Sequence, residues 1–133
     1  MTVLVTRDQS APMRQAIRIG SHTLAADGTV EEGGESSAPT PHDLYDAALG
    51  ACKALTVLWY ARRKGIPVES IEVRVERNSA QERAGTYRLD AQLRLGGPLS
   101  PAQRQELLSV ASKCPIHKLM TAVTTEITTS LAD

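Results

Sequence analysis

Phenylalanine is missing from the sequence altogether, and one tryptophan and three tyrosines are the only aromatic residues among 133. A core must therefore be built from leucine, valine, isoleucine and alanine. Such a core is thin, and apolar helix surface is left over for a second copy of the chain to cover. No sign of charge dominates: 15 basic residues stand against 15 acidic ones, and the longest basic run is Arg62-Arg63-Lys64. Neither nucleic acid nor an anionic membrane surface is implied. Met1 to Thr6 gives way to Arg7 too early for a signal peptide or a spanning helix, so a cytoplasmic protein is expected. Cysteine is scarce as well. With only Cys52 and Cys114, far apart along the chain, reduced thiols, a redox pair or metal ligands fit better than a structural disulfide. The length suits one domain over 1–133.

What the sequence does have is one long helical signal from Thr40 to Gly65 with Cys52 in its middle. Leu44, Ala48, Ala51, Leu55 and Leu58 step by four and three, the spacing of one apolar helix face. Tyr45, Leu49, Cys52, Thr56 and Tyr60 lie beside them, which predicts a helix buried around most of its circumference. Thr40 is placed to cap it, with Pro41 at the first position and Asp43 at the positive end of the dipole. Gly65 and Pro67 stop it after the basic last turn.

On either side the pattern changes to alternation. Met1 to Val5 alternates weakly, and Met13 to Ile19 reads as a half-buried strand paired with His22–Ala26 through a turn at Gly20-Ser21. Asp27 to Pro39 has no periodicity and is expected to be a loop of functional or mobile character. Ile71–Arg77 and Tyr87–Leu95 alternate cleanly as two antiparallel strands. Ser100-Pro101-Ala102-Gln103 carries a capping box for a second helix, with Leu107, Leu108, Val110 and Ala111 on its inner side. Ile116 to Met120 has room for one further turn, and Val123 to Leu131, rich in β-branched residues, reads as a final strand. Strands clustered between helices define an α+β domain.

Cys114 has the more suggestive surroundings of the two thiols, since Lys113, His117 and Lys118 lie within a turn and cations favour thiolate. Cys52 by itself reads more readily as a small buried hydrophobe than as a reactive thiol. Together they make a dithiol that cycles to a disulfide the economical hypothesis. Cys114 and His117 also have the spacing of half a zinc site, to be completed by Cys52 and His22 or His42. Arg14 and Arg18 share one face of the first hairpin, either as surface charges or as partners of a thiolate. Glu31, Glu32 and Glu35 read as solvated charges, and Gly33-Gly34 lacks what a phosphate loop needs.

Taken in order, these segments resemble the OsmC/Ohr family, the osmotically inducible and organic hydroperoxide resistance proteins. Thr40-Pro41-His42-Asp43-Leu44 followed by Leu49-Gly50-Ala51-Cys52 resembles the family's Pro-x-x-Leu and Ala-Cys helix. Cys114-Pro115-Ile116-His117-Lys118 resembles its second-cysteine signature, and Gly33-Gly34 its glycine pair. The resemblance implies an OsmC-like α+β fold in an intertwined homodimer, with an antiparallel sheet, a long central cysteine-bearing helix and a second, shorter helix. It implies a cysteine peroxidase that acts on organic hydroperoxides without a cofactor. Cys52 would be the nucleophile, Cys114 the resolving thiol, Arg14 or Arg18 the thiolate stabiliser and a cellular dithiol the reductant. Where peroxidase members carry a glutamate, this sequence has His42, with Asp43 beside it. Two rivals predict other outcomes: a non-catalytic protein holding a hydrophobic or lipid-like ligand, and a zinc protein using Cys114 and His117.

Overall fold

In the computed structural model, which describes residues 1–132, alternation becomes strand and heptad-like spacing becomes helix at most of the expected places. Strands β1 (Val3–Arg7), β2 (Gln15–Ile19) and β3 (His22–Ala26) precede helix α1 (Pro41–Lys64). Strands β4 (Ser70–Asn78) and β5 (Arg88–Gly96) follow, then helices α2 (Pro101–Ala111) and α3 (Pro115–Ala122). The class is α+β, with two small antiparallel sheets, β1-β2-β3 and β4-β5. The chain divides within α1 into two compact units, Met1–Ala47 and the residues from Ala48 onward. No described helix is long and apolar enough to cross a membrane.

In the N-terminal unit β2 sits between β1 and β3, with Val3 opposite Ile19 and Ile19 opposite His22. Ile17 and Ile19 are half-buried while Ala16 and Arg18 are exposed, the alternation of a one-sided sheet. The segment after β3 is more ordered than its composition suggests. Asp27 is buried, and its carboxylate accepts the Gly28 amide at 2.8 Å, the Ser37 hydroxyl at 2.6 Å and amide at 3.1 Å, and the Glu35 amide at 3.3 Å. Thr29 and Glu32 close a capping box around a single 3-10 turn, Val30–Glu32. Gly34 is required for space, since a Cβ there would stand 2.1 Å from the Gly28 carbonyl oxygen. Residues without periodicity are thus gathered on one carboxylate, an order that depends on side chain to backbone bonds and not on pattern.

The Ser37 hydroxyl, assisted by the three amides, holds Asp27 below the ordinary carboxylate range against the opposing effect of burial. A carboxyl whose folded pKa is depressed stabilises the fold above its unfolded value, and that contribution is lost as pH falls through the folded one. Asp27→Asn should therefore lower the thermal midpoint at neutral pH. The gap from wild type should close below about pH 4, as thermal scans across acidic buffers will show. A gap that is constant with pH would mean that the carboxylate charge has no part in ordering the loop.

Helix α1 starts as its cap residues dictate. The Thr40 hydroxyl accepts the Asp43 amide at 3.2 Å while the Asp43 carboxylate accepts the Thr40 amide at 2.9 Å. It ends at Gly65, where φ of +69° takes the chain out of the helix and the Ile66 amide returns to the Ala61 carbonyl at 2.9 Å. Its buried face differs from the expected one. Leu49, Lys53, Val57 and Ala61 point inward at steps of four, whereas Ala48, Ala51, Leu55 and Leu58 are exposed and Leu44 is half-buried. The stripe expected in the core has no cover within the chain, and the helix is not largely buried.

The C-terminal unit has its core on that inward face. Val57 and Ala61 pack with Ile66, Leu107 and Ala111, flanked by Ile71, Leu93 and Leu95 from the inner faces of β4 and β5. Gly50 lets the helix lie close to β4, where an added Cβ would come within 3.1 Å of the Val75 side chain. Ser100 and Gln103 form the anticipated capping box of α2, and the Tyr60 hydroxyl donates to the Glu106 carboxylate, tying α1 to α2. Leu107 and Ala111 are the inner residues of α2, while Leu108 is exposed. The expected last strand is absent: residues 123–131 belong to no ladder and are exposed throughout. β-branched residues favour extended backbone, but a strand also needs a hydrogen-bonded neighbour, and none is offered here.

A dithiol at the start of the third helix

Cys114 is the N-cap residue of α3. Its backbone is extended (φ −64°, ψ 150°), and its sulfur accepts the His117 amide at 3.4 Å, in the place usually taken by a serine or aspartate oxygen. Pro115 takes the first helical position, where a missing N–H costs nothing. The next free amide, that of Ile116, donates to the Cys52 sulfur at 3.4 Å. Both free N–H groups at the start of α3 therefore end on sulfur, which brings the two thiols to one helix end. Neither cysteine is in a disulfide.

The two thiols differ in exposure. Cys52 is half-buried, with the Thr56 hydroxyl one turn along at 4.0 Å from its sulfur. Cys114 is wholly buried, at 0% exposure. Burial pushes the Cys114 thiol up. The His117 amide and the Lys53 charge pull it down, and the Cys52 side chain pushes it up again. The cations that its sequence neighbours seemed to promise are not what surrounds it, since Lys113 and Lys118 are exposed.

The charge in this unit is Lys53, which pattern reading passed over. Its side chain is 5% exposed, and its ammonium donates to the Ala111 carbonyl at 2.9 Å and contacts His117 Nδ1 at 3.1 Å. An ammonium has no lone pair, so Nδ1 is the acceptor and the proton of the neutral imidazole sits on Nε2. The signal was present in the sequence as a single charge in the middle of an otherwise apolar or small-residue stretch, directly after Cys52. The Lys53 contact occupies Nδ1 and leaves Nε2 as the remaining ring nitrogen. Among the described residues no group of three or more His, Cys, Asp or Glu side chains is arranged to hold a metal ion.

Arg14, Arg18 and His42 belong to the N-terminal unit. The Arg14 guanidinium donates to the Ser37 carbonyl at 2.9 Å and hydroxyl at 2.8 Å, and lies 3.8 Å from the Asp8 carboxylate. Arg18 is exposed on β2, opposite Leu4 and Thr23. His42 stands exposed in the first turn of α1, and its field adds to the Thr29 bonds that hold the Glu32 carboxyl below its usual range.

Two free thiols, one on α1 and one at the start of α3, that take the first two amides of the same helix make this an α+β protein with a candidate dithiol site. Comparison with known proteins narrows the class. Residues 33–130 match the family described as OsmC-like protein, and the chain belongs to that family. Among solved structures, a Psychrobacter arcticus protein described as an osmotic stress induced and detoxification response protein matches with a TM-score of 0.77 at 20% identity. The match covers 92% of this chain and 89% of that one. An organic hydroperoxide resistance protein OsmC from Legionella pneumophila matches at TM-score 0.64 and 20% identity, over 92% and 90% of the two chains. The organic hydroperoxide resistance protein OhrB of Bacillus subtilis matches at TM-score 0.61 and 20% identity, over 92% of each. At such identities the likeness shows the fold. Comparison with curated proteins found no match.

Proposed function

We propose that the protein is a thiol-dependent peroxidase of oxidative-stress defence that reduces organic hydroperoxides through Cys52 and Cys114. The observation that carries this reading is that two free thiols, distant along the chain, take the first two amides of one helix. Membership of a family whose solved relatives include proteins named for organic hydroperoxide resistance supports it. Cys52, the more accessible sulfur, attacks the outer oxygen of the hydroperoxide; the O–O bond breaks, the alcohol leaves and Cys52 becomes a sulfenic acid. Cys114 then attacks the Cys52 sulfur, the S–O bond breaks, water is released and a disulfide forms. A cellular dithiol returns the pair to thiols by exchange. The Ile116 amide donates to the Cys52 sulfur, and a guanidinium from Arg14 or Arg18 is the proposed stabiliser of the thiolate.

The same proposal includes a homodimer, supported by the apolar groups that α1 leaves in water. Leu55 is 67% and Trp59 61% exposed, with Leu58 and Tyr45 exposed beside them. Rapid mixing of the reduced protein with cumene hydroperoxide or hydrogen peroxide should give one disulfide per chain, between Cys52 and Cys114 by mass analysis. The organic substrate should react faster. In the same experiment the reaction should slow in whichever of Arg14→Ala and Arg18→Ala removes the guanidinium that matters, and stay as wild type in the other. Thiols that persist through excess hydroperoxide would defeat the peroxidase reading in favour of a binding protein.

A further inference from the structure

A lysine at 5% exposure is costly unless its charge is used, and both hydrogen bonds of Lys53 go to uncharged acceptors, the Ala111 carbonyl and the His117 imidazole. Three N–H groups belong to an ammonium and two are accounted for, which leaves one for a further acceptor. Ala111 closes α2 and His117 lies in the first turn of α3, so the two acceptors bracket Cys114 along the chain. We propose that Lys53 supplies the positive charge that holds the Cys114 thiolate for the resolving step, and that His117 is a positioning residue that fixes the ammonium there.

The inference rests on the dithiol reading given above and concerns one of its requirements, the ionisation of a sulfur with no exposed surface. Before resolution Cys114 must lose its proton. Its thiolate then attacks the sulfenic sulfur, the S–S bond forms, the S–O bond breaks, and the departing hydroxide takes up that proton as water. Lys53 remains an ammonium throughout and balances the transient negative charge. The titratable groups set against it are His117 on α3, in direct contact, and Cys114, which feels its charge. Cys114 already feels the Lys53 charge in the direction of ionisation. Water cannot supply that charge at a fully buried sulfur, and no other cation is hydrogen-bonded within this cluster.

The test uses Cys52→Ser protein, in which Cys114 is the one thiol left, and reads thiolate by its ultraviolet absorbance as pH is raised, a signal that needs no reagent access. Lys53→Met should move the ionisation midpoint of Cys114 upward by about one pH unit. In the two-thiol protein it should slow disulfide formation after one equivalent of hydroperoxide by about tenfold. Lys53→Arg should restore most of both. His117→Leu should reproduce part of the shift and His117→Gln, which keeps an acceptor, should undo it, so the histidine pair carries the test if Lys53→Met fails to fold. A midpoint unmoved in folded Lys53→Met, or in both histidine variants, overturns the inference even where hydroperoxide is still reduced. A Lys53-dependent midpoint in a protein that ignores hydroperoxide sustains the inference for the dithiol and defeats the peroxidase reading alone.

Discussion

Replacing Cys52 with serine is expected to lower hydroperoxide consumption by at least about a thousandfold, while replacing Cys114 with serine leaves the first turnover intact. The asymmetry follows from the two environments. Cys52 is half-buried and accepts the Ile116 amide, whereas Cys114 has no exposed surface and a thiol that burial pushes up. A hydroperoxide therefore meets Cys52 first. Without Cys114, one equivalent of alcohol should appear and Cys52 should stop at the sulfenic acid, which a dimedone adduct detected by mass will mark. Further peroxide should drive it to sulfinic acid, since no partner thiol removes the sulfenate. Equal losses in the first turnover for the two variants would contradict the assigned order of attack.

Leu55→Glu is expected to convert the proposed homodimer into monomers. Leu55 is 67% exposed in the single chain and lies on the same stripe of α1 as Leu58, one turn from Trp59, whose ring is covered by the Arg63 guanidinium at 5.0 Å. If a second α1 covers this stripe, a carboxylate there is buried without a partner, and the dimer should weaken by at least about a hundredfold. Because the position faces water in the isolated chain, folding itself should be little affected, with circular dichroism unchanged. Sedimentation velocity at roughly ten micromolar separates the outcomes. A wild-type chain that sediments as a monomer there, or a Leu55→Glu chain that stays dimeric, would rule this surface out as the contact.

Features governed by near neighbours were legible in the residues alone. The caps of α1 at Thr40, Asp43 and Gly65, the Ser100–Gln103 box and the alternation in β4 and β5 all depend on chemistry within a few positions, and all were found as read. Features governed by distant partners were not. The stripe Ala48, Ala51, Leu55 and Leu58 is a proper helix face, but nothing local says which of two apolar faces the chain itself covers. Residues 123–131 have strand propensity without a ladder, and β1 has a ladder with only weak alternation. Asp27 hid inside a polar segment because its carboxylate works through backbone amides that no pattern records. That Cys52 and Cys114 meet at one helix end, and that Lys53 is buried on the inward face of α1, both depend on packing between residues far apart in the chain.

The start of α3 has a consequence for how the redox state is displayed. A sulfur locked in a disulfide bears no negative charge and is a poorer acceptor than a thiolate, so oxidation weakens the anchorage of the Ile116 and His117 amides together. Pro115 before them has no N–H to compensate. Were the proposed disulfide to form, the first turn of this short helix would be held less firmly than beside a thiolate, so that its backbone would report the redox state.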